Sequence, residues 1–285
     1  MLFRCGSLSL RRLSHVRAQP RFYVTSYDGI VVNSPIEMPE LKDPLLKSKS
    51  LPHFLMKDFM NDDIKNRTAM IDGFSKKELT YKEVHDATFS FAESLRKHYS
   101  IKANDTVAII SPNDLHYFTV FIGVGLTGAK STCINPMYTE AEILYQLEAT
   151  NANVIVTHPL CLEKVKLVAA KRKNLSIILM GAEDEHVSTT SGMGVPSVSG
   201  LIEDSMTTFD TSSFATPSSF DPMESIYTIP FSSGTTGRSK GVLLTHYNIV
   251  SNLTQSIPFE GERDHILYTL YTLYTQYTLY TLYKL

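Results

Sequence analysis

One short segment, residues 232–241, combines hydroxyl side chains, glycines and a single lysine between an apolar run and a predicted helix. Glycine lets the backbone turn tightly, so that several N–H groups can point at one anion. Ser and Thr hydroxyls add small hydrogen-bond donors, and Lys240 adds a mobile positive charge for the outer phosphates of a nucleotide. The pattern predicts a phosphate-binding loop formed by Ser232, Ser233, Gly234, Thr235, Thr236, Gly237 and Lys240.

The loop differs from the Walker A pattern, which requires glycine immediately before the lysine, because that residue is Ser239 here. Residues 229–240 resemble instead the phosphate loop of the acyl-adenylate-forming superfamily, the AMP-dependent synthetases and ligases. The usual member has Pro at the position of Ser239, so the chain departs from the family pattern there. A Ser/Thr/Gly-rich linker is the alternative interpretation of the composition. The order of residues through Lys240, Gly241 and Val242 favours the loop.

Two further motifs of the same superfamily precede the loop, in the family's order and at similar spacings. Residues 128–143 resemble the second core motif, and residues 79–84 resemble the first. The resemblance covers residues 31–261 and is closest to the 4-coumarate–CoA ligase and fatty-acyl–CoA ligase branch. It implies a chain that corresponds to the N-terminal half of a family member.

The resemblance implies an acid–thiol ligase, that is, an AMP-forming acyl-CoA synthetase. Such an enzyme uses ATP and Mg²⁺ to convert a carboxylic acid to acyl-AMP and then transfers the acyl group to CoA, as in fatty acid metabolism. In the family, the adenine pocket, a ribose-binding acid, a metal-binding Glu and the catalytic Lys lie downstream of these motifs. We therefore expect no catalytic residue and no metal ligand within this chain, and we expect a truncated, inactive form. A non-catalytic ATP- or phosphate-binding fragment is the alternative.

Alternating strand and helix patterns between residues 69 and 255 predict an α/β fold. The expected architecture is a doubly wound, largely parallel sheet with helices on both faces, the incomplete N-terminal domain of an adenylate-forming enzyme. Two capping boxes, Thr80 with Glu83 and Thr139 with Glu142, each predict the start of a helix. Ligands bind outside the carboxyl ends of strands in such folds, and the phosphate loop follows one predicted strand.

Three other features favour a structural interpretation. Residues 123–128 match the dinucleotide fingerprint G-x-G-x-x-G, but the fingerprint needs a strand before it and a helix after it, and the predicted order is reversed. A nicotinamide- or flavin-dependent oxidoreductase is thus disfavoured, and the small residues are expected to let a helix end pack closely on the sheet. Residues 181–222 predict a long surface excursion with one short helix or strand. We interpret His246 as a wall of the binding pocket rather than a general base.

The composition excludes several classes of function. With 285 residues, of which 43% are hydrophobic and 20% charged, the chain resembles an ordinary globular protein. A formal net charge of −2 without a basic patch argues against a nucleic-acid partner. No apolar run reaches the ~20 residues of a transmembrane helix. The three dispersed cysteines indicate a reducing compartment, without a disulfide framework or a zinc site.

Residues 1–27 predict a mitochondrial transit peptide, because they contain five arginines and no acid, and their leucines alternate with Ser and Arg. The predicted location is the mitochondrial matrix. A disordered basic leader is the alternative, with a peroxisomal or cytoplasmic location. The C-terminal tripeptide Tyr283-Lys284-Leu285 differs from the Ser-Lys-Leu peroxisomal signal at its first position.

The remaining chain divides into a partial AMP-binding domain, residues 28–263, and a low-complexity tail, residues 264–285. From Tyr268 onward the tail consists of six triplets, most of them Tyr-Thr-Leu. A period of three keeps no residue type on one face of a helix or a strand. We therefore interpret the tail as lying outside the native fold, the product of a short tandem repeat in DNA or of a faulty gene model, rather than as a functional low-complexity segment.

Overall fold

The structure is a computed structural model that describes residues 22–23, 32–33, 50–73, 75–181, 194–232 and 238–260. Most of the predicted transit peptide, the centre of the predicted phosphate loop and the repeat tail lie outside the described residues. The chain divides into two compact units, Met1–Leu41 and Lys42–Leu285. In the first unit two short strands, β1 (Phe22–Tyr23) and β2 (Val32–Asn33), pair antiparallel.

The second unit alternates helices and strands. Its helices within the described residues are α1 (Leu51–Met56), α2 (Tyr81–Tyr99), α3 (Tyr117–Leu126), α4 (Glu140–Thr150), α5 (Leu162–Lys171), α6 (Val198–Ser205) and α7 (His246–Glu260). Its strands are β3 (Thr68–Ile71), β4 (Glu78–Thr80), β5 (Thr106–Ile110), β6 (Lys130–Cys133), β7 (Val154–Thr157), β8 (Ser176–Leu179), β9 (Ile226–Thr228), β10 (Phe231–Ser232), β11 (Lys240–Gly241) and β12 (Leu244–Thr245). Within the described residues, every helix is too short or too polar to cross a membrane.

A six-stranded sheet with the order β12-β9-β6-β5-β7-β8 forms the centre of the second unit. All neighbouring strands run parallel except β12, which pairs antiparallel with β9. The crossovers between parallel strands are helical, as the βαβ connection requires. The predicted fold class, a largely parallel α/β sheet, is confirmed.

The sheet carries a hydrophobic core on each face. The central strand β5 is buried along its whole length, as is usual for a parallel strand covered on both sides. Its Val107 and Ile109 join one core cluster, which also contains residues of α2, α3 and α6. Its Ala108 and Ile110 join the other cluster, which contains residues of α4 and α5. Alternate side chains of β5 therefore pack against helices on opposite faces of the sheet.

Both predicted capping boxes are present. Thr80 opens α2, and its amide donates a 2.7 Å hydrogen bond to Oε2 of Glu83. Thr139 opens α4 in the same way, with 2.8 Å between its amide nitrogen and Oε2 of Glu142. These hydrogen bonds lower the pKa of the Glu142 carboxyl group, because they stabilise its charged form. Each box satisfies N–H groups that a helix start leaves unpaired.

The segment predicted as a surface excursion contributes more to the core than its composition indicates. Its described part, from residue 194, contains α6, whose Val198, Leu201 and Ile202 are buried against the α2 side of the sheet. The hydroxyl of Ser94 on α2 also donates a 2.6 Å hydrogen bond to the Leu201 carbonyl. The spacing of these apolar residues is helical, but it is too short to stand out among the surrounding Ser, Thr and Gly. The short helix or strand predicted in this segment is therefore present as α6, and it is more deeply buried than a surface excursion implies.

The order of elements around residues 123–128 is that of a helix followed by a strand. Residues 123–126 end α3, and β6 begins at Lys130. A dinucleotide fingerprint requires the reverse order. The structure thus confirms that this G-x-G-x-x-G match is structural.

Candidate phosphate-binding hairpin

The predicted phosphate loop connects the two short antiparallel strands β10 and β11. In their register Ser232 lies opposite Lys240, and Phe231 lies opposite Gly241. Residues 233–237, which include the other five predicted phosphate ligands, lie outside the described residues. The two described ligands therefore face each other at the base of the loop.

The sheet fixes the point at which this hairpin starts. Ile229 follows the carboxyl end of β9, and its amide donates a 2.8 Å hydrogen bond to the Ser131 carbonyl of β6. The Ile229 carbonyl accepts a 2.8 Å hydrogen bond from the Thr132 hydroxyl. That hydroxyl accepts in turn from Nε2 of Gln146 on α4, also at 2.8 Å. The hairpin thus begins at the carboxyl end of a parallel strand, where ligands bind in folds of this kind.

Helix α4 also contacts the hairpin directly, through Tyr145. The ring of Tyr145 packs edge to face on Phe231, with 6.2 Å between centroids and 88° between planes. Its hydroxyl donates a 3.2 Å hydrogen bond to the Ser239 carbonyl. The guanidinium carbon of Arg238 lies 5.3 Å from the centre of the same ring. One side chain therefore contacts both arms of the hairpin.

The chain leaves the hairpin through a capping arrangement that starts α7. The Thr245 amide donates a 3.0 Å hydrogen bond to Oδ1 of Asn248, and the Asn248 amide donates back to the Thr245 hydroxyl at 3.2 Å. This reciprocal pair has the geometry of a capping box with Asn in place of Glu or Gln. The helix begins at His246 and extends to Glu260.

His246 is a buried side chain with a structural hydrogen bond. Its Nδ1 accepts a 3.0 Å hydrogen bond from the amide of Leu51 on α1. The rings of Phe220 and Tyr227 pack edge to face on its imidazole, with centroids 5.0 and 4.8 Å away. Burial, with a smaller contribution from nearby His53, lowers the pKa of His246 to about 4. The imidazole is thus neutral at pH 7, and its interpretation as a pocket wall stays a prediction.

The thiol of Cys133 is not activated. Cys133 ends β6, and the Tyr117 hydroxyl donates a 3.2 Å hydrogen bond to its sulfur. Burial raises the pKa of the Cys133 thiol to about 11. The thiolate, which is the nucleophilic form, is therefore negligible at neutral pH.

The described ligands of the hairpin suit an anion. Ser232 and Lys240 are exposed, and within the described part of the chain no carboxylate neutralises the Lys240 ammonium group. A hydroxyl and an ammonium group flanking a Gly-rich turn provide hydrogen-bond donors and positive charge, which is what phosphate oxygens require. These residues fit the phosphates of ATP.

The described residues provide no metal-binding cluster. Mg²⁺ in nucleotide sites is usually held by one or two carboxylates together with phosphate oxygens and water. Among the described residues, no three His, Cys, Asp or Glu side chains are grouped so that they could hold a metal ion. Residues 232–240 contain no carboxylate either.

The family model for AMP-binding enzymes matches residues 61–283 of this chain. The chain belongs to the AMP-binding enzyme family. The family resemblance that the three motifs predicted is thereby confirmed. The position at which the native domain ends stays a prediction.

Plant 4-coumarate–CoA ligases are among the similar curated proteins. 4-Coumarate–CoA ligase 1 of Petroselinum crispum is 31% identical over 192 residues, which are 67% of this chain and 32% of that protein. 4-Coumarate–CoA ligase 1 of Narcissus pseudonarcissus is 30% identical over 247 residues, 80% of this chain and 40% of that protein. The chain spans less than half the length of these relatives.

Solved structures of adenylate-forming enzymes share the fold. A red-emitting luciferase from Phrixothrix hirtus matches 75% of this chain and 39% of its own, with a TM-score of 0.63 and 27% sequence identity. A long-chain-fatty-acid–CoA ligase from Archaeoglobus fulgidus matches 76% of this chain and 39% of its own, with a TM-score of 0.57 and 21% identity. At that identity the second match shows the fold alone.

The sequence pattern predicted the loop but not the residues that contact its base. Tyr145 and Thr132 contact Ser239 and Ile229 across 94 and 97 positions of sequence, and Gln146 donates to Thr132. In the sequence these residues are distinguished only by lying within or next to the second core motif, residues 128–143. That position does not predict which residues they contact.

Proposed function

We propose that this chain supplies the ATP-phosphate-binding part of an acid–CoA ligase. In the proposed reaction a carboxylate oxygen attacks the α-phosphorus of ATP, which forms acyl-AMP and releases pyrophosphate. The thiolate of CoA then attacks the acyl carbon, which forms the thioester and releases AMP. The observation that carries the proposal is the pairing of Ser232 with Lys240 at the base of a Gly-rich loop, in a chain of the AMP-binding family.

The loop contributes by holding the leaving group. The β- and γ-phosphates become pyrophosphate, so negative charge develops on their oxygens as the bond to the α-phosphorus breaks. Donors that are already in place stabilise this charge without a reorganisation cost. Mg²⁺ bound to ATP would supply further charge neutralisation. Lys240 and the hydroxyls of residues 232–236 are the groups of this chain that we assign to the task.

The relatives support the reaction class. The curated relatives are named as 4-coumarate–CoA ligases, and solved structures with the same fold include an anthranilate–CoA ligase and a benzoate–CoA ligase. These names share a carboxylic acid and CoA, which we extend to this chain as its proposed substrates. An oxidoreductase role has no such support, because α3 and β6 are in the wrong order for the dinucleotide fingerprint.

Equilibrium binding of ATP to the 285-residue chain, in the presence of Mg²⁺, tests the proposal. Lys240→Ala removes the charge assigned to the phosphates, and Lys102→Ala removes an equally exposed lysine at the opposite end of the sheet, before β5. We expect Lys240→Ala to raise the Kd for ATP about tenfold or more, since a charge-assisted hydrogen bond contributes about 1.5–3 kcal/mol. Lys102→Ala should leave it unchanged. Equal affinity in both variants would show that the hairpin is not the phosphate site.

A further inference from the structure

Tyr145 holds a distinctive position between the two arms of the hairpin. It contacts the outgoing arm through the Phe231 ring and the returning arm through the Ser239 carbonyl and the Arg238 guanidinium. These contacts combine an apolar surface, a hydrogen bond and a cation–π interaction, so they restrict both the spacing and the rotation of the arms.

The helix that carries Tyr145 is itself firmly anchored. Its start is fixed by the Thr139 capping box. The next residue, Gln146, is buried, and its Nε2 donates to the Thr132 hydroxyl at 2.8 Å and to the Cys133 carbonyl at 3.0 Å. Tyr145 therefore projects from a helical turn that is tied to the end of β6. Because α4 is anchored in this way, the hydrogen bond from Tyr145 can restrain the hairpin.

The hydrogen bond from Tyr145 to the Ser239 carbonyl restrains the next residue, Lys240, to which we assign phosphate binding. A trans peptide is planar, so the carbonyl of Ser239 and the N–H of Lys240 point in opposite directions within one rigid unit. Fixing the carbonyl therefore fixes the direction of the Lys240 N–H and the position of its Cα. The amide of Val242, two residues on, donates a 2.8 Å hydrogen bond to the Pro230 carbonyl and closes the hairpin below Lys240.

We propose that Tyr145 is a positioning residue for ATP binding, which holds the returning arm, residues 238–240, so that Lys240 faces the phosphates. The proposal rests on the proposed function, since it gives Tyr145 a role in that site. In this role Tyr145 contacts no phosphate and acts only through the hairpin. We therefore expect its hydroxyl and its ring to contribute separately to ATP binding, the hydroxyl through Ser239 and the ring through Phe231 and Arg238.

Three variants of α4 separate these contributions. Tyr145→Phe removes only the hydroxyl, and Tyr145→Ala removes the ring as well. Leu144→Ala is the matched control, because Leu144 is the neighbouring, partly buried residue that packs on the core cluster between α4 and α5. For each variant we would measure the Kd for ATP, the melting temperature, and hydrogen exchange at the Val242 amide without ligand. Lys240→Ala is measured in parallel.

We expect Tyr145→Phe to raise the Kd for ATP about three- to tenfold, which is the usual contribution of one hydrogen bond. Its melting temperature should stay close to that of the parent chain, while exchange at Val242 becomes faster. Tyr145→Ala should weaken binding further. Leu144→Ala should lower the melting temperature and leave both ATP binding and Val242 exchange unchanged, which distinguishes positioning from general stability.

Two results would overturn the inference in different ways. If Lys240→Ala weakens ATP binding but both Tyr145 variants bind like the parent chain, the positioning role is wrong and the proposed function stands. If the parent chain and Lys240→Ala bind ATP equally, the proposed function fails and the role of Tyr145 fails with it. A loss of affinity in Leu144→Ala as large as that in Tyr145→Phe would also contradict a specific role.

Discussion

Gly125 on α3 lies so close to Tyr227 on β9 that a Cβ atom at position 125 would come within 2.2 Å of Cε2 of the tyrosine ring. The same ring is buried, and its hydroxyl donates a 2.9 Å hydrogen bond to the Phe121 carbonyl of α3. Burial raises the pKa of this phenol well above its usual value, so the hydroxyl remains a donor. The absence of one side chain thus lets α3 approach the strand that leads into the hairpin.

Gly125→Ala should therefore destabilise the fold. Alanine is favoured over glycine inside a helix, but a 2.2 Å contact with a buried ring forces the ring or the helix to shift, so we expect a net loss of about 1–3 kcal/mol. Gly73→Ala is the control, because a Cβ atom there meets nothing within 4 Å. Urea unfolding measures both. Equal stability of the two variants would show that α3 can move away from β9 without cost.

Local patterns predicted much of this architecture. The Thr80 and Thr139 capping boxes, the parallel strands and the close packing of the small residues at the end of α3 all follow from short stretches of sequence. The contact between Tyr145 and Ser239 does not, because it joins residues that are distant in sequence and depends on how two elements pack. The extent of burial of α6 was not predicted, for a different reason: a single short apolar face is a weak signal in a Ser- and Gly-rich context.

His246 makes folding stability dependent on pH. Its pKa is about 4 in the folded chain and 6.5 in the unfolded chain, so between these values the unfolded state binds a proton that the folded state does not. Its contribution to stability is therefore fully present above pH 6.5 and is lost as the pH falls toward 4. The expected loss is about 3 kcal/mol, at 1.36 kcal/mol for each unit of pKa. Burial also lowers the pKa of His53, which acts in the same direction.

His246→Asn isolates this effect from that of the carboxyl groups. The Asn carbonyl oxygen can accept the Leu51 hydrogen bond but does not titrate. We expect the variant to lose less stability than the parent chain between pH 7 and pH 4.5, measured as the urea midpoint at each pH. The same pH dependence in both chains would mean that His246 is not the titrating group.

Residues 1–27 are predicted to direct import into mitochondria. Fusion of this segment to a fluorescent protein should give a mitochondrial signal, because a basic amphipathic leader is read by the import machinery. A matched leader replaces the five arginines by Gln, at Arg4, Arg11, Arg12, Arg17 and Arg21. That version should remain diffuse. A diffuse signal from both fusions would remove the basis for a matrix location.

The 285-residue polypeptide assayed alone is predicted to bind ATP without acid-dependent exchange of pyrophosphate into ATP. The motifs found before residue 261 include the phosphate loop, whereas the resemblance places the adenine, ribose and metal contacts of the family downstream. A 4-coumarate–CoA ligase assayed in parallel with its own acid is the positive control. Exchange above background that disappears in Lys240→Ala would show that the 285 residues suffice for adenylation.

We propose that the phosphates of ATP bind at the hairpin between β10 and β11. Hydrogen exchange of the full chain, with and without ATP and Mg²⁺, measures this directly at the peptide that covers residues 231–241. We predict slower exchange in this peptide when ATP is present, caused by backbone N–H groups that bind phosphate oxygens, and weaker protection in Lys240→Ala at the same ATP concentration. ATP binding that leaves residues 231–241 unprotected and protects another part of the chain would contradict the account.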